Sequence, residues 1–137
     1  MDRLDEETVE QFHDSLDRCG STSKFLGRFY QIFSASSPEV AARFTDTNFK
    51  TQIRALKTSF YMAMLASDKD SEASDYLERI AMRHNHQQLD IKPEFYTLWM
   101  DSMIVAVSEF DPQFDHHIEQ VWRRFMQPAI EFMSSRY

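Results

Sequence analysis

The chain has 137 residues, enough for one domain around one core, and 42% of them are hydrophobic, which excludes a disordered protein. Two glycines leave no room for a Gly-rich phosphate loop and count against a turn-rich β protein, so the composition points to an all-α fold. Twenty-two acidic residues against 15 basic ones give a net charge of −7, a balance that serves solubility and repels phosphate backbones, so nucleic acid is not an expected partner.

The opening stretch, Met1-Asp-Arg-Leu-Asp-Glu-Glu7, is acidic and lacks the apolar centre of a signal peptide. No segment approaches the ~18–20 apolar residues of a membrane span. A cytoplasmic protein, away from membranes, is the expectation. Val9, Phe12 and Leu16 mark a first amphipathic helix that stops at Cys19-Gly20. Cys19 is the sole cysteine, so no intrachain disulfide or multi-cysteine metal site can form; it reads as a quiet, partly buried thiol. A second helix spans about 21–34, with Phe25, Leu26, Phe29, Tyr30 and Phe33 on one side. Ser37-Pro38-Glu39 combines a capping hydroxyl with Pro in a first turn and opens a short helix through Val40 to Phe44.

Asp46 or Thr47 is placed to cap the next helix, where Phe49, Ile53, Leu56, Phe60 and Met64 recur at three- and four-residue steps. Residues 67–72 form a polar break, and a helix from Tyr76 to His84 follows. Asp90-Ile-Lys-Pro93-Glu94 is another start signal, ahead of Tyr96, Trp99, Met103, Val107 and Phe110. Asp111-Pro112 breaks that helix. The last one aligns Ile118, Val121, Trp122, Phe125, Ala129, Phe132 and Met133, with Pro128 inside it as a kink or an unpaired carbonyl. The whole chain, 1–137, reads as a single all-helical domain.

His84 shares a helix face with Leu77, Ile80 and Ala81. An imidazole aimed into apolar surroundings is costly unless satisfied, and binding iron is one way to satisfy it. His86 faces the opposite side, because two residues rotate a helix by about 200°. His13, His116 and His117 read as surface residues. The aromatic load, 12 Phe, 5 Tyr and 2 Trp, suits either a packed core or the lining of a flat apolar cofactor.

Five stretches in order resemble the single-domain bacterial globins and the haem domain of flavohaemoglobins: Phe29-Tyr30, Ser37-Pro-Glu-Val40 with Phe44, Gln52-Ile-Arg-Ala-Leu56, Arg79-Ile-Ala-Met-Arg-His84, and Ile91-Lys-Pro-Glu-Phe-Tyr96. The resemblance implies a globin fold, a three-over-three helical sandwich around haem b (iron protoporphyrin IX). It implies His84 as the proximal iron ligand, Phe44 as a wedge against the porphyrin, and Tyr30 with Gln52 as the distal pair beside the gas ligand. Leu56, Phe60, Ile80, Ile91, Tyr96 and Trp99 are the expected lining, with Tyr96 near His84. The corner before Gln52 is shorter than in the family pattern, which brings Thr51 and Arg54 close to the distal position; the spacing to His84 selects Gln52.

The implied function is reversible binding of O2, NO or CO for storage, delivery or sensing. Nitric oxide dioxygenation through a separate reductase is the alternative, with weak peroxidase activity within the same chemistry. The family's catalytic haem domains carry a late glutamate; here that position falls at about Tyr137, and Glu131 comes too early. A cofactor-free helical interaction module is the reading from a different class. His84 is expected to donate its second ring N–H to a backbone carbonyl one turn earlier.

Overall fold

Helix order follows the apolar spacing. The computed structural model describes residues 5–66, 71–84 and 92–135. Its helices are α1 (Glu6–Arg18), α2 (Thr22–Ala35), α3 (Pro38–Arg43), α4 (Phe49–Ala66), α5 (Ser71–His84), α6 (Pro93–Phe110) and α7 (His116–Ser135). Among the described residues there is no strand, and no helix is long and apolar enough to cross a membrane.

The ends are set by local chemistry. Asp5 accepts from the Thr8 N–H at 2.7 Å and caps α1, and Gly20 closes it at φ 78°, a backbone state that glycine adopts without strain. Ser37 and Pro38 open α3 as expected, the Ser37 hydroxyl accepting from the Glu39 N–H. The expected cap of α4 at Asp46 or Thr47 is corrected: Asn48 accepts from the Thr51 N–H at 3.3 Å, and α4 begins at Phe49. α5 begins at Ser71, inside the stretch read as a break. Glu72 and Ala73 are good helix formers, so the helix extends back beyond its first apolar residue. Pro128 lies buried within α7 and cannot donate to the Arg124 carbonyl.

The helices pack α1 on α7, α2 on α6 and α4 on α5, with α2 also crossing α3 and α4, and α7 crossing α5 and α6. This is the three-over-three sandwich expected from the sequence. Its centre is aromatic. Phe12 stacks on Phe125 at 3.7 Å, meets Trp122 edge-on at 4.6 Å, and touches Phe60 at 5.6 Å. Each fully buried ring contributes roughly 1.5–3 kcal/mol, enough to lock α1, α4 and α7 together. Cys19 is more deeply enclosed than expected, and burial pushes its thiol up to about 12, so it stays protonated.

One buried polar network ties the ends of three helices. Asp111, just past α6, accepts from Ser15 Oγ at 2.6 Å, from Arg18 Nε at 2.7 Å and Nη2 at 2.9 Å, and from the Gln113 N–H at 2.8 Å. Trp122 Nε1 donates to Ser15 Oγ at 2.8 Å. A carboxylate without exposed side-chain surface is tolerated because each oxygen meets donors. The residues read only as a helix stop therefore pin α1 and α7 to the end of α6.

Candidate functional site

Apolar residues at 25, 26, 29, 30 and 33 turn one face of α2 inward, and Tyr30 rides on that face at 5% exposure. Three phenyl rings surround its phenol: Phe29 at 4.8 Å, Phe44 edge-on at 5.6 Å, and Phe49 tilted at 5.6 Å. Phe44 sits at the C-terminal cap of α3, half-buried, and its ring also meets Phe33 at 5.8 Å. Burial pushes the Tyr30 hydroxyl up to about 12, against the opposing pull of a side-chain hydrogen bond with Gln52. The phenol is therefore protonated at neutral pH and keeps a hydrogen to donate. Leu56 lies one turn beyond Gln52, half-buried against the core.

His84 closes α5. Burial, with Arg83 beside it, pulls its pKa down to about 4, so the ring is neutral at pH 7, the form that binds a metal. Its Nδ1 lies 3.5 Å from the hydroxyl of Tyr96, at the outer edge of hydrogen-bonding distance. Tyr96 stands in the first turns of α6, buried and held protonated with its pKa near 12 by that burial. A side chain on the next helix thus stands beside the second ring nitrogen, where a backbone carbonyl was the expectation from the sequence. With Nδ1 engaged, Nε2 is the nitrogen left to coordinate.

The remaining expected residues divide. Ile80 is half-buried on α5. Trp99 is half-buried and meets Phe29 edge-on at 5.5 Å. Phe60 is enclosed with Phe12 and Trp122, two turns along α4 from Gln52. Ile91, His86 and Tyr137 lie outside the described residues. His116 and His117 are exposed, and His13 is partly so, 3.7 Å from Asp17. Glu131 is exposed and accepts from Gln127 at 2.8 Å.

Phe49 and two residue pairs gain weight from the structure. Phe49 touches both Tyr30 and Phe44, at 5.6 and 5.9 Å; its helical step to Gln52 was the signal available in the sequence. Arg43 covers Phe95 at 5.5 Å, and Lys92 meets Glu39 at 3.5 Å, joining α3 to the start of α6. No sequence spacing announces these pairs.

Among the described residues, no three of His, Cys, Asp and Glu gather to hold a metal ion. A lone half-buried, neutral imidazole suits a metal that brings its other donors with it, and porphyrin iron does so. The residues fit the haem that the resemblance implies: His84 as the axial ligand, Tyr30 and Gln52 as polar groups in an otherwise apolar space, and Phe44 as an aromatic wall.

No protein-family model matches the chain. It is 32% identical over 110 residues to the Flavohemoprotein of Oceanobacillus iheyensis, a match that takes in 77% of this chain and 27% of that protein. The chain thus spans about a quarter of that relative's length. A Pseudomonas aeruginosa protein, whose crystal structure is described as structurally highly homologous to a human haemoglobin, superposes with a TM-score of 0.87 at 30% identity. That match covers 95% of this chain and 98% of the other.

Proposed function

This chain belongs to the globin family, and on that premise we propose that it binds haem b through His84 and holds a diatomic gas, O2 first among them, reversibly on the opposite side. When bound, haem would supply an iron able to take up that gas. The side chains do the rest. His84 would hold the iron through Nε2, with the Tyr96 hydroxyl accepting from Nδ1–H, which would orient the ring and raise its basicity. Tyr30 and Gln52 offer a hydroxyl and an amide to the partial negative charge on bound O2, each adding about 1 kcal/mol. Phe29, Phe44 and Leu56 keep that space apolar.

The observation that carries this reading is the buried, protonated Tyr30 phenol, ringed by Phe29, Phe44 and Phe49 and with Gln52 acting on its hydroxyl. A purified protein with a strong Soret band that shifts under CO, and faster O2 release in Tyr30→Phe by about tenfold, is the expected result. A colourless protein that takes up no haemin would instead favour a helical interaction module.

Nitric oxide dioxygenation is the second reading, favoured by the Tyr96 contact on His84. It converts NO and O2 to nitrate and needs one electron per turnover from a separate reductase. Rapid NO consumption by the O2-loaded protein, sustained by added reductant, supports it. Loss of O2 without sustained NO consumption leaves gas binding alone.

A further inference from the structure

We infer that Phe49 is the shutter of the distal pocket, the ring that keeps bulk water from the Tyr30–Gln52 pair and sets how fast small ligands enter. The inference rests on the gas-binding reading above and adds a residue to it. Of the three rings packed on Tyr30, Phe29 is fully enclosed and Phe44 half-buried, whereas Phe49 is 38% exposed. Phe49 therefore touches the distal phenol on one side and solvent on the other.

A large apolar ring at an exposed position forgoes burial that it has elsewhere in this fold. Tyr61 is the other exposed aromatic residue among the described ones, and of the two it is Phe49 whose ring packs on Tyr30 and Phe44. Its place in the chain makes it movable. It is the first residue of α4, so its own N–H lies outside the intrahelical ladder. The helix start is held beside it by Asn48, through the long 3.3 Å bond to the Thr51 N–H and the Gln52 N–H bond to the Asn48 carbonyl at 3.0 Å. The ring can swing about its side-chain bonds without breaking either contact. Closed, it excludes water, and hydrogen bonds inside a dry site are stronger than those that compete with water. Open, it admits the gas.

The test uses the haem-loaded protein and flash photolysis of its CO form. Phe49→Ala is expected to speed bimolecular CO association about tenfold, and Phe49→Trp to slow it, as gating residues do. Phe49→Leu repeats the measurement should the alanine variant fold poorly, with an intermediate rate expected. The C–O stretching band supplies a readout that a purely structural role leaves unmoved: it shifts in Phe49→Ala as water reaches the pocket. Unchanged CO association and an unchanged band in Phe49→Ala and Phe49→Trp, with Tyr30→Phe still releasing O2 faster, overturn the shutter and leave the gas-binding site standing. No effect in any of these variants, Tyr30→Phe included, overturns both.

Discussion

The Tyr96 hydroxyl stands 3.5 Å from Nδ1 of His84, and the two residues come from different helices, α6 and α5. A helix end that carries the candidate iron ligand is thereby tied to its neighbour through the ligand itself. The bond is long, so its contribution lies at the low end for a metal's outer contacts. In Tyr96→Phe the haem stays bound, its affinity falls by about tenfold, and the iron–histidine stretching band moves to lower frequency. Haemin titration and resonance Raman spectra check this; an unmoved band means that Tyr96 does not tune His84.

The Gln52 side chain acts on the Tyr30 hydroxyl and lowers its pKa against the effect of burial, so their effects on O2 release should not add. Gln52→Leu and Tyr30→Phe are each expected to speed release by about five- to tenfold, and the double variant by less than the product. Stopped-flow release rates for the four proteins close the cycle. Strict additivity contradicts the coupling.

Burial pushes the Asp111 carboxyl up, but Arg18, Ser15 and the Gln113 N–H together hold it below the ordinary carboxylate range. A carboxyl with a lower pKa folded than unfolded stabilises the fold above the unfolded value of about 3.9 and loses that stabilisation as pH falls through the folded value. Stability should therefore be flat through this group from neutral to mildly acid pH and decline below pH ~4. Asp111→Asn should cost about 3 kcal/mol at pH 7, the low end for a broken buried pair because Arg18 is 24% exposed, and should shed part of the acid dependence. Urea denaturation across that range tests both; parallel curves for the two proteins contradict the assignment.

Ser15 stands between Trp122 Nε1 and Asp111 Oδ2. Ser15→Ala strips a buried donor and a buried acceptor of their partner and should cost about 1–3 kcal/mol. Ser108→Ala, which removes an exposed hydroxyl bonded to the Val105 carbonyl, should stay within about 0.5 kcal/mol. Thermal melts of both variants provide the comparison.

Much of the architecture was legible because helix periodicity and caps are local. The steps through Phe49, Ile53, Leu56 and Phe60 place α4, and Ser37-Pro38 and Pro93 place the starts of α3 and α6. The sequence does not single out Asn48 as the cap, because Asp46 and Thr47 carry equally suitable oxygens two and one residues earlier, and side-chain identity alone does not choose among them. Ser71 reads as part of a break because polar composition resembles a loop even where the backbone is helical.

What stayed hidden depends on the crossing of helices. Asp111 reads in sequence as a stop before Pro112, while its partners Ser15 and Arg18 lie 96 and 93 residues away. Tyr96 was expected near His84, yet which atom would face Nδ1 is decided by how α6 packs, and no spacing within α5 reveals it. The exposure of Phe49 is likewise a tertiary fact: periodicity puts it on the apolar face of α4, and only the position of α2 and α3 leaves its ring at the rim.

The most direct measurement is the resonance Raman spectrum of the ferrous haem-loaded protein in which His84 has been replaced by glycine. The iron–histidine band is expected to disappear, and free imidazole to restore it by filling the vacated space. A band that persists unchanged without imidazole would contradict the assignment of His84 as the ligand.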